Sequence, residues 1–136
     1  MDCIFLDACA LIYRVERVAP WAGRLAQRLA EVHRQFPRAR LAVSDLSRME
    51  CRVRPLRDGD RALLAAYDTL FAAADLEVVR LTPAVMDLAT AIRARSGLRT
   101  PDALQAACCL SLPGPALFVT GDAGFRREAA LAVELI

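Results

Sequence analysis

The stretch CIFLDACALIYRVE, residues 3–16, indicates the fold because two kinds of secondary structure meet in it at one acidic residue. CIFL at 3–6 is a short apolar run, which is typical of a buried strand. ACALIYRVE at 8–16 predicts a helix. Asp7 lies between them, at the end of the strand. A strand that runs directly into a helix is the repeating unit of α/β proteins.

The same alternation continues to the end of the chain. WAGRLAQRLAEVHRQF at 21–36 predicts an amphipathic helix, because its apolar residues form one stripe with arginines opposite. Further strands are predicted at 40–44 (RLAVS), 76–81 (LEVVRL), 116–120 (ALFVT) and 132–136 (AVELI), with helical segments between them. The pattern therefore predicts one α/β domain over residues 1–136, in which helices flank both faces of a central parallel sheet.

Several helix boundaries can be predicted from single residues. Pro55 and the turn DGD at 58–60 indicate a break in the chain. Thr82–Pro83 and Thr100–Pro101 each predict a helix start, in which the threonine hydroxyl caps the helix and the proline takes the first helical position. Asp102 would then lie in the first turn, where the helix dipole favours a carboxylate.

Composition limits the classes of protein to consider. The 136 residues are 56% hydrophobic and carry a formal net charge of only +2, so no strong basic field indicates nucleic acid. No apolar run approaches the ~20 residues of a membrane span. The N-terminal residues lack the cationic segment of a signal peptide. We therefore expect a cytoplasmic protein with no membrane association.

Absent residue types exclude several chemistries. All 18 basic residues are arginine, which excludes a phosphate-binding loop with lysine and any Schiff-base mechanism. The only histidine, His33, belongs to the amphipathic helix at 21–36 and is expected on its surface. Five cysteines without C-x-x-C spacing are expected to pack as small hydrophobic residues. Any catalysis must therefore depend on carboxylates.

Four acidic residues occur at the ends of the predicted elements. Asp7 ends the first strand and Asp122 follows the strand ALFVT. Glu50 lies about two turns into the helix after the second strand, for which Ser44 is a suitable N-cap. Because ligands of open α/β sheets bind outside the carboxyl ends of the strands, these residues and Asp102 are expected to converge there.

Each acid also has an ordinary structural interpretation. Asp7 and Asp102 suit helix starts, Glu50 suits a solvated helix face, and Asp122 suits a turn. However, Asp7 should lie near the core, where an unpaired carboxylate is costly, and clustered carboxylates raise one another's pKa. A divalent cation such as Mg²⁺ or Mn²⁺ removes both problems, because these ions prefer oxygen ligands. Such a site suits hydrolysis of a phosphodiester.

The acidic motifs, taken in order, resemble those of PIN domains, and most closely those of the VapC-type ribonuclease toxins of bacterial toxin–antitoxin pairs. The motifs are LDACALI, SDLSRME, TPDALQAA and TGDAGF. The resemblance covers essentially the whole chain and implies an endoribonuclease that depends on Mg²⁺ or Mn²⁺. It implies a catalytic quartet that consists of Asp7, Glu50, Asp102 and Asp122. Three of these residues, Asp7, Asp102 and Asp122, would bind the metal. Thr120 and Ser44 would support the site.

The chain departs from the pattern of this family at two points. Gly121 stands where many relatives carry a polar residue, and no second acid closely follows Asp122. Asp45 is an additional acid next to Ser44, and we interpret it as a first-turn helix residue. Asp122 is therefore the member of the quartet that the resemblance supports least.

The resemblance also implies partners, namely an RNA substrate, a small cognate antitoxin and a second copy of the chain. Arg52, Arg54 and Arg57 follow Glu50 closely, and arginine suits phosphate recognition. These arginines are expected to contact RNA or an acidic antitoxin segment, unless they only form a solvated surface. The apolar helix at 61–74 suggests a homodimer interface, while no aromatic-rich stacking platform is visible.

Two other functions remain open. The first is a PIN-type nuclease that processes RNA or acts on DNA. The second is a catalytically silent PIN-like binding module, whose acids only cap helices. A titration with a divalent metal separates the silent module from the nucleases, and a neighbouring antitoxin gene would separate the toxin from a processing nuclease.

Overall fold

A five-stranded parallel sheet organises the chain, and the computed structural model describes all residues from 1 to 136. Its strands are β1 (Cys3–Leu6), β2 (Arg40–Ser44), β3 (Leu76–Val79), β4 (Ala116–Thr120) and β5 (Ala132–Leu135). The strand order is β3-β2-β1-β4-β5, and every neighbouring pair is parallel. The first strand of the chain is therefore the central strand of the sheet.

Six α-helices connect and cover the strands. They are α1 (Ala8–Val15), α2 (Trp21–Gln35), α3 (Asp45–Asp58), α4 (Arg61–Phe71), α5 (Pro83–Ser96) and α6 (Thr100–Leu110). A short 3₁₀ helix, Ala123–Arg127, follows β4. None of the helices combines the length and the apolar composition that a membrane span requires.

The two faces of β1 pack against different sets of helices. All four residues of β1 are buried, as its wholly apolar sequence predicts. Ile4 and Leu6 belong to one hydrophobic cluster, which includes buried residues of α1, α2, α3 and α4. Phe5 belongs to the other cluster, with residues of α5 and α6, and stacks on Phe118 at 5.4 Å between ring centroids. The predicted α/β architecture with helices on both faces is thus confirmed.

Pro55 does not break the chain, contrary to the prediction from sequence. It lies inside α3, which continues to Asp58. A proline inside a helix costs one hydrogen bond, but Pro55 is buried, and removing its apolar ring from water offsets part of that cost. The break comes at Gly59, which ends α3 in the left-handed region at φ 68°, and Asp60 then caps α4.

The two Thr-Pro pairs behave differently, and the prediction for Thr100 is wrong. Thr82 caps α5 as expected, since its hydroxyl accepts a hydrogen bond from the Val85 amide at 3.2 Å. Thr100 is already the first residue of α6, and Arg99 takes the N-cap position with extended backbone and no side-chain cap. A capping side chain must stand on the last extended residue, so Thr100 comes one position too late.

Candidate active site

Asp7 is a buried carboxylate fixed where β1 passes into α1. One oxygen, Oδ1, accepts a hydrogen bond from the Ala10 amide at 2.9 Å, and the other, Oδ2, accepts one from the Thr120 hydroxyl at 2.5 Å. Only 4% of the residue is exposed, and no basic side chain pairs with it. The expectation that Asp7 lies near the core is confirmed.

Burial dominates the electrostatics of Asp7. It raises the pKa of this carboxyl from 3.8 to about 6, although the hydrogen bonds from Thr120 and Ala10 act in the opposite direction. The negative charges of Glu50 and Asp102 add to the increase. Asp7 therefore caps a helix, as the structural interpretation holds, and it also lies in the negative field of Glu50 and Asp102 without a basic partner of its own.

Thr120 links Asp7 to Asp122. It is the last residue of β4, which pairs directly with β1, and it is fully buried. Its hydroxyl donates to Asp7 and accepts a hydrogen bond from the Asp122 amide at 3.0 Å. The Oδ1 atom of Asp122 in turn accepts the Gly124 amide at 2.7 Å and begins the 3₁₀ helix, so this acid also has the turn role considered above.

Gln105 positions Glu50, and the sequence analysis missed it. Its side-chain amide nitrogen donates to Glu50 Oε1 at 3.0 Å and to Ser47 Oγ at 2.8 Å. Its carbonyl oxygen accepts from the Ser44 hydroxyl at 3.0 Å, while Ser44 also caps α3 as expected. The signal was a lone polar residue in the apolar run of TPDALQAA, three positions after Asp102 and so on the same helix face.

The pKa of the half-buried Glu50 reflects its location. Burial raises this pKa, and the charge of Asp102 raises it further, whereas the hydrogen bond from Gln105 lowers it. Glu50 is therefore not the fully solvated helix residue of the structural interpretation. It lies beside the other acids, with one oxygen held by an amide.

Asp102 lies in the first turn of α6 but makes no capping contact. Its carboxylate accepts no hydrogen bond within the chain, although the residue is half-buried. Burial raises its pKa first and the charge of Asp122 second, while Arg99 and Arg127 lower it. The positive charges of these two arginines act on the acids, although neither arginine belongs to a motif that would indicate this from the sequence.

The four acids are electrostatically coupled at one edge of the sheet. Asp7 feels the charges of Glu50 and Asp102, and Asp102 feels that of Asp122. The donors are all carboxylate oxygens, whose chemistry fits a hard divalent cation. Nevertheless, the structure contains no group of three or more histidine, cysteine, aspartate or glutamate side chains that are arranged to hold a metal ion. The charges of these acids influence one another, but the carboxylates do not form a coordination shell.

Arginines after Glu50 are engaged within the chain. Arg52 pairs with Asp68 at 3.2 Å, Arg54 with Glu16, and Arg57 with Asp58 at 3.5 Å. Glu16 also accepts a hydrogen bond from the hydroxyl of the buried Tyr67 at 2.6 Å, so the Arg54 pair belongs to a network between α1, α3 and α4. Contact of these arginines with RNA or an antitoxin stays a prediction.

The parallel sheet and the acids gathered at its carboxyl edge define the class of this protein, an α/β domain with an acidic edge site. The model of the PIN domain family matches residues 4–131, and the chain belongs to that family. The resemblance inferred from the motifs is thereby confirmed. Nucleases of this family are hydrolases that generally use a divalent metal.

Two solved structures from different bacteria have the same fold. One is the crystal structure of VapBC2 from Rickettsia felis bound to a DNA fragment from their promoter, with a TM-score of 0.71 and 15% identity over 97% of this chain and 98% of that one. The other is VapBC-1 from nontypeable Haemophilus influenzae, with a TM-score of 0.70 and 17% identity over 98% of this chain and 97% of that one. A comparison with curated proteins finds no match.

Proposed function

We propose that the chain is an endoribonuclease dependent on Mg²⁺ or Mn²⁺ that acts as the toxin of a toxin–antitoxin pair. The observation that carries the proposal is the buried Asp7, which is held by Thr120, lies in the field of Glu50 and Asp102 and pairs with no basic side chain. The acids proposed for catalysis are Asp7, Glu50, Asp102 and Asp122.

Asp7, Asp102 and Asp122 are the residues that would hold the metal. When bound, a divalent ion neutralises the charge of the phosphodiester in the transition state and acidifies an attacking water. Asp102 is suited to this role because its carboxylate has no other partner, and Asp122 keeps its Oδ2 free of hydrogen bonds. The remaining steps depend on the side chains around these three.

Thr120 and Gln105 would act by positioning. Thr120 fixes the orientation of Asp7, and Gln105 fixes that of Glu50. A glutamate with a raised pKa is a better general base, so Glu50 would take a proton from the water that attacks phosphorus. The bond between phosphorus and the leaving ribose oxygen then breaks. Arg99 and Arg127, whose positive charges lower the pKa of Asp102, would hold the phosphate.

The biological role rests on the family and on the two VapBC structures. A toxin of this kind would cleave RNA in the cytoplasm and would be silenced by a small antitoxin that blocks the acidic edge. Expression of the chain should then arrest growth, and co-expression of a small protein encoded beside it should relieve the arrest. Growth unaffected by a folded, abundant chain would contradict the toxin role and leave the nuclease in place.

Cleavage of single-stranded RNA by the purified protein tests the chemistry. RNA should be cleaved with Mg²⁺ or Mn²⁺ and not with EDTA, and a DNA strand of the same sequence serves as the second substrate. Asp7→Asn and Asp102→Asn should each reduce the rate by several orders of magnitude. Asp87→Asn, which changes an exposed acid on α5, is the matched control and should cleave normally. Cleavage that resists EDTA and both site variants would overturn the proposal.

Metal-dependent melting separates the nuclease from a silent binding module. A ligand that binds only the folded state stabilises it by about 2.7 kcal/mol at a hundredfold excess over its Kd. Mn²⁺ should therefore raise the melting temperature, and Asp7→Ala should remove most of that rise. A silent module, whose acids only cap helices, would melt at the same temperature with and without Mn²⁺.

A further inference from the structure

An aromatic pair joins the beginning of α2 to α1. The rings of Tyr13 and Trp21 are stacked, with centroids 5.5 Å apart and planes 16° from parallel. Neither ring is fully buried. The guanidinium of Arg24 lies over the Trp21 ring, 4.9 Å from its centroid. Arg24 is exposed and forms no salt bridge. The surface therefore carries a pair of stacked aromatic rings next to a guanidinium that has no acidic partner.

This pair lies beside the acidic edge. Gly121 separates Thr120 from Asp122, and a Cβ atom on it would stand 3.3 Å from Tyr13 Cε2 and 3.4 Å from the Tyr13 hydroxyl. The tyrosine ring is therefore packed on the backbone between two residues of the candidate site. A glycine at this position leaves room for that approach, which gives a physical reason for the departure from the family pattern at Gly121.

We propose that Tyr13, Trp21 and Arg24 form a nucleobase subsite of the ribonuclease, and the proposal rests on the function proposed above. An unpaired base of single-stranded RNA stacks on the aromatic pair, and Arg24 moves from the Trp21 ring to a neighbouring phosphate. The phosphodiester next to that base then lies near Gly121, beside the acids.

Three features of the site match this ligand. Single-stranded RNA offers unstacked bases, whose flat faces bind aromatic side chains with little dependence on sequence. Arginine both stacks on rings and binds phosphate, and an exposed guanidinium held by one cation–π contact is easily displaced. Tyr13 lies against Gly121, between Thr120 and Asp122, so a single RNA strand can contact both the aromatic pair and the acids.

A purely structural pair would behave differently from a subsite. If the stack only clamps α1 to α2, its loss lowers stability and weakens the binding of every RNA equally. If it holds a base, its loss weakens only the binding of RNA that carries a base at one particular position. The interaction between a protein change and an RNA change therefore distinguishes the two.

Trp21 is the only tryptophan of the chain, so intrinsic fluorescence reports on this position alone. The protein for the titration is the full chain with Asp102→Asn, which prevents cleavage. A short single-stranded RNA should quench the fluorescence in a saturable way. The same RNA should bind about tenfold more weakly when one particular nucleotide lacks its base, since base–aromatic stacking has that magnitude.

The second half of the experiment measures labelled RNA by fluorescence anisotropy. Trp21→Leu should lose about tenfold in affinity for the intact RNA and nothing further for the abasic RNA. Phe36→Leu, at the other end of α2 and also partly buried, is the matched control and should bind both RNAs normally. Circular dichroism checks that each variant is folded. Arg24→Gln, compared with Arg34→Gln on the same helix, repeats the test without altering the rings.

Equal losses on intact and abasic RNA, or no difference between Trp21→Leu and Phe36→Leu, would overturn the subsite. Quenching by the antitoxin protein with none by RNA would also overturn it and would make the pair a protein contact. RNA cleavage that needs metal but shows no base-dependent coupling refutes the subsite and leaves the proposed function standing. Coupled binding without cleavage under any metal refutes the ribonuclease and leaves the subsite standing.

Discussion

Asp7 is a carboxylate that is buried from water and also lies near other carboxylates, and both conditions disfavour its charged form. Two hydrogen bonds, from Ala10 and Thr120, hold it in place. They do not compensate its charge fully, and its pKa stays raised. A residue of this kind stores unfavourable electrostatic energy that a bound cation or proton releases.

The free energy of unfolding should therefore depend on pH through Asp7 when metal is absent. The folded pKa of about 6 exceeds the ordinary value of 3.8, so the folded state binds more protons between these values. The resulting stability is present below about pH 4 and is lost as the pH rises through 6, with a total of about 3 kcal/mol at most. Denaturant titrations in EDTA at about pH 4.5 and about pH 7.5 measure the change.

Asp7→Asn removes the titrating group and nearly keeps its shape. The difference in unfolding free energy between the two pH values should shrink in this variant, although Glu50 and Asp102, whose pKa values are also raised, keep part of it. At neutral pH the variant should be at least as stable as the metal-free wild type. An identical pH dependence in the wild type and the variant would show that the pKa of Asp7 does not differ between the folded and the unfolded state.

At this scale the sequence indicates residues at the ends of strands, whereas it does not indicate residues whose role depends on contacts between helices. Asp7 could be found because an acid directly after an apolar strand is unusual. Thr120 was expected as a support, and the structure gives it a bond to Asp7 across a sequence separation of 113 residues. Gln105 was missed because its value depends on Ser44, Ser47 and Glu50 meeting it from another helix, which no local pattern specifies.

Among the elements, strands were predicted more accurately than helix ends. Strands β1, β2 and β4 have the predicted bounds, since a buried apolar run has few alternatives. Helix ends depend on which residue first leaves the extended conformation, and that choice is made by tertiary contacts. This is why Thr82 caps its helix and Thr100 does not, and why Pro55 remains inside α3.

Two glycines allow a matched test of the helix ends. Gly59 ends α3 at φ 68°, whereas Gly23 lies inside α2, and a Cβ at either would meet no atom within 4 Å. Gly59→Ala should lower the unfolding free energy by about 1 kcal/mol, because a side chain strains the left-handed conformation. Gly23→Ala should raise it by roughly 0.5–1 kcal/mol, because alanine favours the helix.

Thermal or urea unfolding of the two single variants measures these changes. Since neither alanine would create a clash, the backbone conformation alone sets the sign. Changes of the same sign in both variants would contradict the assignment of Gly59 as the left-handed end of α3.

For the whole molecule, the alternation of strands and helices was enough to predict the parallel sheet. The order of strands, with β1 between β2 and β4, was not predictable from local pattern, since it depends on which crossovers bury both faces of the most apolar strand. The convergence of the acids follows from that order. Asp7 and Thr120 meet because β1 and β4 are neighbours in the sheet.

The surplus of apolar surface lies on a different helix from the one expected. In α4, Tyr67 is fully buried, and Leu63, Leu70 and Phe71 pack against the core. On α3, however, a stripe of three apolar residues is exposed, each by more than half: Met49 by 59%, Val53 by 54% and Leu56 by 65%. The exposed apolar residues of α3 are therefore a better candidate for the interface of the predicted homodimer than α4 is.

Light scattering at micromolar concentration should find a dimer, and Val53→Glu should convert it to a monomer, because a charge in an apolar interface is costly to bury. Met86→Glu places the same change on α5, at an apolar residue that is 46% exposed, and should leave the dimer intact. A wild-type monomer under these conditions would refute the homodimer.

The bond from Thr120 to Asp7 also bears on how the protein is made. Asp7 precedes Thr120 by 113 residues, so the ribosome synthesises β1 well before β4, the strand that pairs with its second edge. Until β4 emerges, Asp7 lacks its threonine, and neither Asp122 nor the end of the sheet exists. A chain interrupted before β4 would carry Asp7 without the hydroxyl that orients it and without Asp122, so the proposed site can form only after β4 has been made.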